Sequence, residues 1–426
     1  MSDPLPPLLL AVPVVVIACQ AGGRAVRLLG QPPVIGEILV GILLGPSLLG
    51  WIAPGLQHHL LPPSVLPITS ALGNLGLLAF LFLMGLELDL RTLGTTRGAV
   101  AAVSLSGVLL PMVLGAVLAA AMYPHLSPPG VDRLPFTLFI AVALSITAFP
   151  VLARILADRG LESTPVGTFV MACAAADDAL AWCMLTAVVA LSTVGTALSA
   201  LTTLALTAAY AVGLTLLRPA LRALLTRAGH TSDDLVLAVL FAGLCLSAYA
   251  TGQIGVHPAF GAFLFGVVAP RRLLAVQCSA ARLRAVMLPL LLPLFFVDTG
   301  LHTDISTLPA GRWGWGAALL AVAVMGKWGG TAGAARLAGG DWRWSAAVGT
   351  LMNCRGLTEL VVLGIGRQIG VITDDLFTLL VIMTVVTTTA TAPLLKRVAG
   401  DDPRMVMVPP APQGDPERNT AREVTG

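Results

Sequence analysis

A chain of 426 residues that is 56% hydrophobic and only 11% charged, with a mean hydropathy of +0.89, is no ordinary soluble domain. Apolar runs of about 20 residues, the length that crosses a bilayer as a helix, recur along nearly all of it, and the alternating ten-residue segments of a membrane β-barrel are absent. The net charge of +3, with no basic run interleaved with aromatics, does not suggest a nucleic-acid partner.

The reading is an all-α polytopic membrane protein. Cutting at Pro, Gly and Arg clusters predicts thirteen spans, at about 8–29, 33–50, 71–90, 98–122, 134–158, 165–193, 198–226, 234–253, 257–270, 285–301, 313–335, 344–366 and 376–395. The first lacks a basic n-region and a small-residue cleavage site, so it is expected to stay as a span. The ninth is short, and a bent or half-buried helix is expected there. After Lys396 and Arg397 the chain turns polar and Pro-rich, which predicts a disordered cytoplasmic tail over 400–426. The six cysteines (Cys19, Cys173, Cys183, Cys245, Cys278, Cys354) have no Cys-x-x-Cys spacing and read as small core residues.

Basic residues fix the expected orientation. With the N-terminus outside, twenty Arg and Lys fall in inside loops or the tail and only Arg133, Arg312 and Arg367 fall outside. A twelve-span cut breaks this alternation. An odd number of spans permits two six-helix repeats of opposite orientation around a linking seventh helix. Segment five then corresponds to segment twelve. Both carry polar interruptions, Ser145-Ile146-Thr147-Ala148-Phe149-Pro150 in one and Asn353-Cys354-Arg355-Gly356 in the other. Two discontinuous crossing helices at matching places point to a binding site at the bilayer midplane, where unwound backbone offers carbonyls and half-helix ends.

Chemistry concentrates on Asp177 and Asp178, twelve and thirteen residues into segment six. That is roughly 18 Å along a helix, near the middle of a hydrocarbon core of about 30 Å. One Asp at a helix centre costs roughly 2.5–3.5 kcal/mol. A second beside it must be relieved by a proton, a bound cation or a nearby positive side chain. That choice of partners is the logic of a proton-coupled cation transporter. Lys327 in segment eleven is one of only two lysines beside 23 arginines. At mid-membrane it reads as a displaceable ammonium paired with Asp177. Gly326 and Gly330 leave room for a neighbouring helix. Arg355 and Glu359, at i and i+4, are expected to neutralise each other beside the second break. Glu37, Glu87 and Asp298 also lie in apolar segments, and His257-Pro258 starts a helix. Gly326-Lys327 lacks the remaining features of a phosphate-binding loop, so no ATP site is visible and no cofactor is expected.

Six stretches together resemble the cation:proton antiporter-2 superfamily, and more closely its plant and fungal cation/proton-exchanger branch. They are PPVIGEILVGILLGPSLLG at 32–50, LGLLAFLFLMGLELD at 75–89, ALSITAFPVLARILAD at 143–158, HPAFGAFLFGVVAP at 257–270, LPLFFVDTGL at 292–301 and LMNCRGLTELVVLGIG at 351–366. The resemblance implies a thirteen-helix fold in which a core domain, about 98–193 and 313–395, moves against a dimerisation scaffold, about 8–90 and 234–301. Residues 198–226 would be the linker, all within a transmembrane domain of 1–399. It implies that Asp178 is the principal cation- and proton-binding carboxylate, hence the ligand of a monovalent cation. Asp177 matches the position before it, Lys327 the lysine of the pair and Thr147 the unwound helix. Homodimers in the plasma membrane are the implied state. This chain departs from the branch at Asp177, where Asn is usual and where Asp-Asp is similar to electrogenic sodium/proton members. It departs again at Asp298, where a small hydroxyl residue is common. The large soluble C-terminal region of many relatives is not found in this sequence. The function expected from these residues is monovalent cation:proton antiport, with Na⁺ or K⁺ as cargo. A passive cation channel and a proton-driven exporter of an organic or ionophore substrate are the alternatives.

Overall fold

The computed structural model describes residues 4–87, 97–162, 164–193 and 197–399; the expected tail over 400–426 lies outside them. Among the described residues every element is helical. By length and composition ten helices can cross a membrane, or up to twelve if two bent pairs each count as one span. Those pairs are Ala205–Leu216 with Arg218–Thr231, bent by 48°, and Trp342–Met352 with Leu357–Gln368, bent by 42°. The expected ninth span is the eleven-residue helix Pro258–Val268, most of it buried. Each expected segment therefore meets a helix or a helix pair.

One boundary differs clearly. The tenth helix begins at Leu274 and not near 285. The stretch 274–284 looks like a loop because it carries Arg282 and Arg284, but Arg282 pairs with Asp233 and Asp234, and Arg284 pairs with Glu87. Paired arginines leave the helix free to bury Val276, Ser279, Ala280 and Leu283 on its other face.

The helices pack in two groups. Leu5–Leu28, Pro33–Leu44, Leu66–Glu87, Asp233–Ile254, Pro258–Val268, Leu274–Leu290 and Leu292–Leu301 pack against one another. Arg97–Leu126, Arg133–Ser145, Phe149–Asp158, Pro165–Thr193, the continuous run from Trp313 to Leu337, Trp342–Met352 and Asp374–Ala399 form the second group, with Leu357–Gln368. Apolar side chains of both meet in one core, where Trp182 of the second group stacks on Phe263 of the first at 6.2 Å between ring centroids. The bent helix Ala197–Leu216 and Arg218–Thr231 touches Pro165–Thr193 on one side and Asp233–Ile254 on the other. Local sequence sets several ends. Gly255, at φ +95°, ends Asp233–Ile254, and His257 Nδ1 then accepts the Ala259 N–H at 3.2 Å to start Pro258–Val268.

Candidate functional site: crossed half-helices around a buried aspartate pair

The first break falls where the sequence places it. Helix Arg133–Ser145 stops, Ile146 is extended, and Phe149–Asp158 restarts with a proline in its first turn, where a missing N–H costs nothing. The second runs over Asn353, Cys354, Arg355 and Gly356 between Trp342–Met352 and Leu357–Gln368. The two breaks touch: the Ala148 N–H donates to the Cys354 carbonyl at 3.1 Å, and the Thr147 hydroxyl lies 3.3 Å from the Met352 carbonyl. The second break is also tied to Asp374–Ala399. The Arg355 N–H donates to Thr388 Oγ1 at 3.1 Å, and that hydroxyl donates to the Arg355 carbonyl at 2.6 Å.

A helix end leaves carbonyls without intrahelical partners, and in lipid each must be satisfied from elsewhere. Here cations do it. Arg355, fully buried, donates to the Ala143 carbonyl at 3.2 Å and the Leu144 carbonyl at 2.6 Å, and its Nη1 reaches Glu359 Oε1 at 2.9 Å. Lys327, also fully buried, donates to the Ser145 carbonyl at 2.6 Å. Both positive charges sit at the negative end of the half-helix Arg133–Ser145.

Lys327 also donates to Asp177 Oδ2 at 2.8 Å, the pairing expected from sequence. It does so from a π-helical turn, Met325–Gly329, inside the run from Trp313 to Leu337. Such wide turns occur mostly as isolated insertions and often at functional sites. Asp177 is saturated: Thr147 Oγ1 donates to Oδ2 at 3.0 Å and Ser104 Oγ to Oδ1 at 2.5 Å. Asp178, one residue on, is 5% exposed, and its Oδ1 has no hydrogen-bond partner among the described residues. Two adjacent carboxylates thus stand in opposite states, one fully bonded and one with an open acceptor.

The structure brings Asp177, Thr147 and Lys327 into direct contact, keeps Asp178 buried beside them, and forms the Arg355–Glu359 pair at the neighbouring break. It adds Ser104, a serine in an apolar helix that nothing in its local sequence distinguishes. Ser104, Gly107 and Pro111 share one face, and each meets Asp177 or the lysine-bearing helix. A Cβ on Gly107 would stand 2.5 Å from Thr331 Cγ2, and one on Gly326 would stand 2.7 Å from Pro111 Cα. The other acidic residues lie elsewhere. Glu37 lines a cavity of about 430 Å³ with Arg24, Arg27 and Arg154. Asp298 lines another of about 270 Å³ with His257, His302 and Arg367. Glu87 pairs with Arg284.

Comparisons with known proteins show the family and the fold. The profile of the family "Sodium/hydrogen exchanger, transmembrane" matches residues 14–397. The Na⁺/H⁺ antiporter NhaS4 of Synechocystis is 38% identical over 373 residues, covering 86% of this chain and 91% of that protein. Cation/H⁺ antiporter 19 of Arabidopsis thaliana is 36% identical over 97% of this chain, and the K⁺/H⁺ antiporter 1 of Saccharomyces cerevisiae 32% over 95%. The chain spans about half the length of these two, 51% and 47%. The structure of the sodium proton antiporter MjNhaP1 from Methanocaldococcus jannaschii superposes with a TM-score of 0.66 at 14% identity, covering 95% of this chain and 98% of that one, which shows a shared fold. With the profile spanning the whole helical region and a relative matched almost end to end, this chain belongs to the sodium/hydrogen exchanger family of membrane transporters.

Proposed function

We propose that the chain is a monovalent cation:proton antiporter in which Na⁺ or K⁺ and H⁺ compete for Asp178. The observation that carries this reading is the contrast inside the aspartate pair: Asp177 is held by Lys327, Thr147 and Ser104, while Asp178 Oδ1 is buried and unpartnered. A buried carboxylate without a partner calls for a proton or a cation. Each excludes the other, so the two fluxes are coupled at one site. The open oxygen fits a hard monovalent cation as well as a proton. Lys327 and Asp177 trade their ion pair for separate protonation states as the site moves.

The packing groups support the rest of the proposal. The second group carries both broken helices, Asp177, Asp178 and Lys327, and is the moving core, with the inverted repeats crossing at the breaks. The first group is the scaffold and dimer interface, and the bent helix between them is the linker. The N-terminus lies outside and the C-terminus in the cytoplasm of a plasma-membrane homodimer. The test is proton release from reconstituted vesicles on adding Na⁺, K⁺ or Li⁺ separately, for the native protein and Asp178→Asn. Cation-triggered release lost in the variant is the expected result and names the ion. Release unchanged in the variant, or none with any cation, returns the weight to a channel or to an exporter of organic substrates.

A further inference from the structure

We infer that a cavity at one end of the linker helix binds the phosphate headgroup of an anionic phospholipid. The cavity, about 310 Å³, is lined by Arg218, Arg222, Pro270, Arg271, Arg272 and Leu273. Four guanidiniums share it, and no carboxylate lines it among the described residues. Arg218, Arg222 and Arg272, held close together, repel one another. Among the described residues, Asp233 and Asp234 pair with Arg282, and Glu87 pairs with Arg284. Arg218, Arg222 and Arg272 have no ion-pair partner among the described residues.

A second feature points the same way. Helix Leu274–Leu290, seventeen residues long, begins at this cavity with Leu273 as its N-cap, no side chain bonding its free N–H groups and no acidic residue in its first turn. An uncapped helix N-terminus carries partial positive charge and donors directed outward, the arrangement that holds phosphate. Guanidinium forks match phosphate oxygens in pairs.

Exposed leucines place the cavity beside surface that faces lipid. Leu216, Leu217 and Leu274, adjoining the lining arginines in sequence, are 72%, 60% and 74% exposed. A phospholipid places its phosphate among the arginines and its acyl chains on the leucines. Basic pockets between membrane helices are recognised sites for such headgroups. The occupied cavity clamps the linker, through Arg218 and Arg222, to the turn Pro270-Arg271-Arg272 that joins two scaffold helices. This site is independent of the aspartate pair and of the proposed transport reaction.

The experiment is thermal unfolding of the purified protein in neutral detergent, titrated with phosphatidylglycerol, phosphatidylcholine or inorganic phosphate. Phosphatidylglycerol is expected to raise the unfolding temperature saturably, and the other two to leave it unchanged. Arg218→Gln/Arg222→Gln should weaken the phosphatidylglycerol response by about tenfold or more. Arg227→Gln, on the same helix but outside the cavity, should keep it. An equal loss in Arg227→Gln would reduce the effect to general surface charge and overturn the proposal. So would the same upward shift from inorganic phosphate, which would assign the cavity to a soluble anion. If the double variant does not elute as a monodisperse protein, Arg272→Gln alone carries the test with the same expectations.

Discussion

Lys327 and Arg355 divide between them the three carbonyls that end the half-helix Arg133–Ser145, Arg355 taking Ala143 and Leu144 and Lys327 taking Ser145. The two cations come from different helices, and each holds a carboxylate as well, Glu359 and Asp177. The broken helix is therefore kept open by charge. Its dipole end, two cations and two acids form one buried array, and removing either cation takes a donor from both a helix-end carbonyl and a carboxylate.

Arg355→Leu is the most damaging single change expected from this array. It strands the Ala143 and Leu144 carbonyls and takes the cation from buried Glu359, a loss of about 3–5 kcal/mol for a broken buried pair. Arg355→Lys should recover only part of it, because a compact ammonium on a shorter side chain does not reproduce the spread of the planar guanidinium fork, which reaches two carbonyls through different nitrogens. Adding Glu359→Gln to Arg355→Leu should restore part of the stability. Thermal unfolding in detergent measures all three, and a double variant no more stable than Arg355→Leu would contradict the array.

The Lys327–Asp177 pair should behave in the same way for stability and differently for transport. Lys327→Met with Asp177 intact is expected to destabilise by several kcal/mol, and Asp177→Asn added to it to recover much of the loss. On the proposed mechanism, Asp177→Asn alone keeps cation-proton exchange but loses the accompanying current. Current recordings on solid-supported membranes, set beside proton release from vesicles, read both quantities. If current and coupling are both unchanged in Asp177→Asn, the electrogenic role of this residue is wrong.

Much of this site was legible because membranes make polarity conspicuous. Ser145 to Pro150 and Asn353 to Gly356 interrupt apolar runs, and both are breaks in the structure. A lysine among arginines marked Lys327, and adjacency marked the aspartates. Arg355 was legible only in part. Its i, i+4 neighbour Glu359 can be read along one helix, but its carbonyl partners Ala143 and Leu144 lie 212 and 211 positions away. Ser104 was illegible for the same reason, since its partner Asp177 is 73 positions on and serine is tolerated in any membrane helix. The π-helical turn under Lys327 has no composition of its own. Local chemistry can be read from local sequence, whereas partners across the bundle are set by packing.

Thr147 tests the link between the breaks and the aspartates. Its hydroxyl faces Asp177 Oδ2 and the Met352 carbonyl, so Thr147→Val keeps the shape and removes the donor. A lost hydrogen bond to a charged group costs about 1.5–3 kcal/mol. The expected result is lower stability and a higher cation concentration for half-maximal proton release. Thr147→Ser should behave nearly as the native protein. A Thr147→Val variant with native cation dependence would show that this hydroxyl has no part in the site.

Gly107 separates packing from function most cleanly. It lies inside the helix Arg97–Leu126, where Gly→Ala would ordinarily stabilise by about 1 kcal/mol through helix propensity. Here an added Cβ would stand 2.5 Å from Thr331 Cγ2, with Asp177 Oδ2 at 3.7 Å and Lys327 Nζ at 3.8 Å. Thr331 cannot turn away freely, because its hydroxyl donates to the Lys327 carbonyl at 2.6 Å. Gly107→Ala therefore presses on the turn that carries Lys327, and the larger Gly107→Val drives methyl groups against the ion pair itself. Cation-triggered proton release should fall more steeply than the unfolding temperature across the series Gly, Ala, Val. The physical reason is that the helix gains propensity while the pair loses its geometry. A series in which stability and transport decline together would mean that Gly107 serves only to bring two helices close.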